Sequence, residues 1–273
     1  MSEARLNDLP DYDRPPLNEV VCGIHFERLD RLLNPYLGVL WDKYKSEYPY
    51  CQEVAPLMPI IERFDRPSTQ RGELLDIPSL PRTWFVHSNE NEIIQVQRDR
   101  FLHNWREVRP EDVYPRYRKI FETFREQLLK FTDFLKEYDL GVVKPLQYEM
   151  TYVNLIIQGE GWESYSDIGQ VFTNFILPAA ENGFLPLPDN INWQTSFALP
   201  NRVGRLHAKI QSGERRSDKR PLFRFELTAR GLGEYTALGT MNDWFDMAHE
   251  WIVRGFAELT TLQIQKNVWG RKS

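Results

Sequence analysis

In the stretch Leu222 to Arg230 the chain alternates strictly from Phe223 onward between apolar and polar side chains, the period of a strand with one buried face. Phe223, Phe225, Leu227 and Ala229 fall on one side, and Arg224, Glu226, Thr228 and Arg230 on the other. Residues 205–211 alternate in the same way. Paired, the two strands predict a polar sheet face carrying Arg205, His207, Lys209, Arg224, Glu226, Thr228 and Arg230.

The same pattern predicts strands over residues 19–26, 83–87, 92–98 and 101–106, then 146–158, 191–199, 204–212 and 222–230. Helical spacing of apolar residues predicts helices over 35–48, 115–138, 165–180 and 243–265. The second of these carries Tyr117, Ile120, Phe121, Phe124, Leu128, Phe131 and Phe134 along one side; the last carries Trp244, Ala248, Trp251, Ile252 and Phe256. Asn34 is a candidate cap for the first helix, and Asn242 or Thr240 for the last, where Glu250, Arg254 and Glu258 step four apart along a charged side. Between Pro49 and Pro81 six prolines interrupt any period. That stretch predicts a long irregular connection with one short strand, of the kind that carries function or moves.

Each half therefore reads strand, helix, three strands, long helix. Residues 1–18 form an arm, 19–140 a first half-repeat that includes the proline-rich loop 49–81, and 141–273 a second. The expected class is α+β: two β-α-β-β-β-α halves joined into one saddle-like antiparallel sheet with helices on one face. That is the arrangement of TATA-box-binding-protein-like domains. Two ferredoxin-like domains side by side are the alternative, and they would bury or split the polar face.

Composition narrows the picture. In 273 residues, 41% hydrophobic and 13% aromatic content suffices for a large core, and a net charge of −5 argues against bulk attraction to nucleic acid or anionic membrane. Two cysteines, Cys22 and Cys51, offer no disulfide framework, and the first residues lack the apolar run of a secretory signal. A cytoplasmic protein with no membrane span is the expectation. The five histidines show no metal-ligand spacing; Gly231-Leu232-Gly233 lacks a dinucleotide or phosphate-loop pattern, and no Gly-x-Ser-x-Gly elbow occurs. No cofactor, metal or catalytic residue is assigned.

The polar strand face is the first candidate site. Arg205, Lys209, Arg224 and Arg230 suit phosphate or carboxylate, with Glu226 orienting an arginine or serving as a base and His207 as its acid–base partner. The plainer reading is a solvated face whose opposite charges pair across strands, each worth ~0.2–1 kcal/mol. His103, Trp105 and Arg106 form a second candidate, which stacks on a base or clamps a partner; its plainer reading puts Trp105 in the core. Glu149 is placed to neutralise one of the arginines, Asn154 to end or bulge a strand, and Trp269 to dock the carboxy-terminal tail on the body.

Pro15-Pro16-Leu17-Asn18-Glu19-Val20, Asn104-Trp105-Arg106, Tyr114-Pro115-Arg116-Tyr117, Tyr152-Val153-Asn154, Phe225 to Gly231 and Trp269-Gly270-Arg271 together resemble a sporadically distributed, uncharacterised bacterial family of similar length. The resemblance spans the chain but implies no activity and no catalytic residues. Its patchy distribution implies accessory genes of antiviral defence, toxin–antitoxin pairs or mobile islands. Three functions are weighed. First is a non-catalytic subunit or neutralising partner for a protein encoded nearby, alone or as a homo-oligomer. Second is a nucleic-acid or nucleotide binding module using the basic face. Third is an enzyme acting on a phosphorylated small molecule.

Overall fold

A computed structural model describes residues 9–58, 60–62, 64, 82–173, 175, 184, 186, 188–231 and 238–272. Nine strands form one antiparallel sheet: β1 Leu17–Phe26, β2 Tyr50–Val54, β3 Arg82–Val86, β4 Glu92–Gln97, β5 Arg100–Arg106, β6 Pro145–Ile157, β7 Asn192–Ala198, β8 Gly204–Glu214 and β9 Pro221–Gly231. Their order across the sheet is β2-β3-β4-β5-β1-β6-β9-β8-β7. The expected alternative of two separate domains does not hold, because β1 pairs directly with β6 and makes the sheet continuous.

The helices are α1 Asn34–Tyr44, α2 Tyr117–Glu137, α3 Ile168–Val171, α4 Leu238–Leu259 and α5 Leu262–Asn267. The long α2 and α4 bury their apolar stripes against one side of the sheet. Phe121, Phe124 and Phe245 meet Phe101 and Tyr148 there, with Phe121–Phe245 ring centroids 4.8 Å apart and Phe101–Phe124 6.3 Å. The strand residues in this core include Cys22, Ile24 and Met150, together with Phe225 and Leu227, which the alternation assigns to it.

Three expected helices differ. The first, expected over 35–48 with Asn34 as its cap, ends at Tyr44; Asn34 is its first residue, and Leu33 stands at the cap position without a side-chain capping bond. The helix expected over 165–180 begins as a 3₁₀ turn at Tyr165–Asp167, capped reciprocally by Ser164 and Asp167, and its α segment stops at Val171. Phe172 turns extended and bridges Thr260, while Thr261 donates its amide to the Val171 carbonyl at 2.9 Å. Pairing to the chain after α4 thus replaces the next helical turn. Residues 174 and 176–180 of the expected helix lie outside the described residues. The helix expected over 243–265 starts earlier, at Leu238, so Asn242 and Asp243 sit within it, and it divides at Thr260–Thr261. There the Thr261 hydroxyl accepts from the Ile264 amide at 3.3 Å and opens α5.

The two chain ends clasp. Asp13 and Arg14 donate to the carbonyls of Gly270 and Trp269, and Tyr12 bridges Arg271. Trp269 is buried against Tyr12 and Phe256, as expected of a docked tail. Gly270, with a φ of +65°, turns the tail beside Asp13. Among the described residues no helix is long and apolar enough to cross a membrane.

Candidate functional site

All seven residues of the first candidate site lie together on the sheet face away from the helices. Strand register sets Arg205 opposite Arg230, His207 opposite Thr228, and Lys209 opposite Glu226. Gly204 and Gly231 close the end of this pair, where a Cβ on either would lie within 2.0 Å of the facing backbone. Only glycine lets β8 and β9 approach closely enough to seat the two arginines side by side.

The guanidinium groups are not bare. Arg230 Nε donates to Glu149 Oε2 at 2.5 Å, and His25 Nε2 stands 3.6 Å from the same oxygen. Burial would raise the Glu149 carboxyl, but the charge of Arg230, joined by His25, outweighs it and holds the group well below the usual carboxylate range. Arg224 donates to Glu226 at 2.5 Å, and Thr228 donates to the other Glu226 oxygen at 3.2 Å. Thr228 and Thr151 share a hydroxyl hydrogen bond of 2.9 Å at the centre of the sheet. Glu226 and His207, named as an acid–base pair, share the face but are engaged by different partners.

Polar side chains continue across the other half of this face. Trp84 Nε1 and Arg82 Nη1 both donate to Gln95 Oε1 at 3.0 Å; Gln95 donates to Asn104 at 2.6 Å, and Asn104 to Glu19 at 2.5 Å. His25, Gln95, Gln97, Arg100, Asn104, Gln147 and Thr228 are buried although none faces the helix layer. Burying so many polar groups is tolerable because most of them are hydrogen-bonded; His25 Nε2 makes no hydrogen bond and has only the Glu149 carboxylate 3.6 Å away.

The face is not open along its whole length, contrary to the expectation of a single uncovered surface. Described residues of the proline-rich segment, 55–58, 60–62 and 64, cross it without helix or strand. Gln97, 6% exposed, accepts from the Leu57 amide at 3.0 Å and donates to the Leu57 carbonyl at 3.1 Å. Gln147, 1% exposed, accepts from the Glu62 amide and donates to the Ile60 carbonyl, both at 2.8 Å. The Glu62 carboxylate, its side chain 4% exposed, then receives Arg205 Nη1 at 2.7 Å and meets His207 Nε2 at 2.6 Å. Burial pushes the Glu62 carboxyl up, yet His207 and Arg205 outweigh it and the group titrates below its ordinary value. The Phe64 ring lies 4.0 Å from the Arg205 guanidinium. Leu57, Met58 and Ile61 are exposed, so this strap is held by its main chain and one acid rather than by its apolar side chains.

The second candidate set is divided by the sheet. His103 and Trp105 point into the helix layer, His103 against Glu92 at 3.1 Å and Trp105 against Tyr114, with ring centroids 5.4 Å apart. Arg106 lies at the strand end and donates to the Glu90 carbonyl at 3.1 Å. Asn154 neither ends nor bulges β6. It is buried in mid-strand and donates to the Phe225 carbonyl at 3.2 Å; the register irregularity opposite it belongs to β1, between Leu17 and Glu19.

Gln97 and Gln147 carry no local signal beyond their polar positions in alternating strands. Glu62 has none, since it sits in a segment without period. Among the described residues no group of histidine, cysteine and acidic side chains is arranged to hold a metal. Comparison of the chain with protein-family models, curated proteins and solved structures finds no match.

Proposed function

We propose that the chain is a non-catalytic binding protein whose polar sheet face takes up an extended protein segment bearing an acidic side chain. One observation carries the reading: two buried glutamines each satisfy both an N–H and a C=O of a crossing main chain, while an arginine and a histidine hold a carboxylate. That is how a strand-like peptide is recognised, main chain for affinity and one side chain for register. In this reading the described residues 55–58, 60–62 and 64 occupy the seat in cis, and Glu62 stands in for the partner's acid. Pairing of Arg230 and Arg224 with carboxylates, on a chain of net charge −5, disfavours the nucleic-acid alternative.

The mirror order of strands about the β1–β6 pair supports a duplicated half-fold of the saddle-shaped kind, whose outer face suits such a partner. The family resemblance suggests an accessory or neutralising role in a bacterial defence or toxin–antitoxin system. The test replaces residues 55–64 with a glycine–serine linker and titrates the chain with a synthetic peptide of residues 54–64. Saturable micromolar binding is expected, weakened about tenfold when the peptide carries Glu62→Gln. A folded linker variant that ignores the peptide overturns the reading, as does one that instead binds single-stranded DNA at 150 mM salt.

A further inference from the structure

On the opposite side of the sheet, independent of the strap, a cavity of about 410 Å³ opens between the arm, the start of α2 and the middle of α4. Cavities that hold small organic molecules span roughly 300–1,000 Å³ and join apolar walls to a few convergent polar groups. Here Leu17, Leu227, Ile252 and Phe256 form the apolar wall.

The polar groups form a built cluster. Tyr114 and Tyr152 share a hydroxyl hydrogen bond of 3.0 Å, and Tyr152 meets His249 Nδ1 at 3.0 Å. His249 stacks on Tyr117 with ring centroids 4.2 Å apart, and Tyr117 donates to Asp246 at 2.8 Å. Burial first, then the charge of Arg118, pushes the His249 imidazole down to about 3, so it is neutral at pH 7. With Nδ1 occupied by Tyr152, Nε2 is left without a partner among the described residues, and His249 is one of the residues lining the cavity.

Charge at the mouth is unbalanced. Asp11 pairs with Arg116 at 2.7 Å, while Arg118 lines the cavity with no ion-pair partner among the described residues. Arg116 itself has φ +73° and ψ 155°, a backbone region that side chains other than glycine rarely adopt. Such strained backbone gathers at ligand sites.

We propose that this cavity binds a small amphiphilic anion, a carboxylate or phosphate ester with an apolar body. Its charged end lies between Arg118 and His249 and its body against Leu227 and Phe256. Arg118 supplies the charge, the imidazole N–H a directed donor, and the tyrosine pair fixes the ring that carries it.

Octanoate, octyl phosphate, octanol and inorganic phosphate are the probes, titrated by calorimetry into the full chain. Saturable binding of octanoate or octyl phosphate is expected, at least tenfold tighter than octanol or inorganic phosphate; preference for one names the head group. Arg118→Gln, at an exposed position, is expected to weaken the anions about tenfold and leave octanol unchanged. Val253→Trp, which fills the cavity from its rim, is expected to abolish binding. Absence of binding by both octyl anions overturns the proposal. So does octanol binding as tightly as they do, or anion binding that survives Val253→Trp.

Discussion

Glu62→Ala removes both bonds that fix the strap's acid and leaves its two glutamine contacts in place. A hydrogen bond to a charged group contributes about 1.5–3 kcal/mol when buried. Arg205 and His207 retain 19% and 12% exposure, so water recovers part of the loss, and about 2 kcal/mol is the reasonable sum for both contacts. The cost falls on opening the strap, not on unfolding the sheet, because the described residues among 55–62 hold no ladder of their own. Two kcal/mol corresponds to an opening constant about 30-fold larger. Hydrogen exchange should therefore quicken about 30-fold at the Leu57 and Glu62 amides and stay unchanged in β6 and β9. The pH dependence has a definite sign. Because the Glu62 carboxyl is depressed in the folded chain, its contribution is complete above the ordinary carboxylate value and fades as pH falls through the depressed one. Acid should release the strap in the parent chain and change little in the variant, after correction for intrinsic exchange. Exchange within threefold of the parent, or a uniform loss across the sheet, would refute the reasoning.

Glu149→Gln leaves Arg230 largely buried without its acid and should cost about 3 kcal/mol in urea unfolding. Since Glu149 is also held far below its usual range, the parent should lose stability progressively in acid while the variant is flatter there. Trp269→Ala empties a site 2% exposed between Tyr12 and Phe256. It should cost about 3 kcal/mol, and limited proteolysis should then cut first within residues 9–16.

Strict alternation in β8 and β9 made the polar face legible from sequence, because a period of two assigns every side chain to a side. The pairing of Glu149 with an arginine was legible for the same reason. What covers the face was not: residues 55–64 have no period, and their contacts join positions as far apart as Glu62 and His207. The cavity was hidden differently. Tyr152 and Asn154 share the core side with Met150, and His249 lies on the buried side of α4 beside Phe245 and Ile252, so periodicity alone enrols them in the core. A polar residue on an apolar stripe was the only available signal. Helix ends at Val171 and Leu259 escaped notice because pairing between distant segments, not local propensity, sets them.

The side-chain amide signals of Gln97 and Gln147 report the occupied seat most directly. In a proton–nitrogen correlation spectrum of the linker variant, adding the peptide of residues 54–64 should shift both amides together with the Arg205 guanidinium. Shifts confined to α2 and α4, with the two glutamines unmoved, would contradict a peptide seat on the polar face.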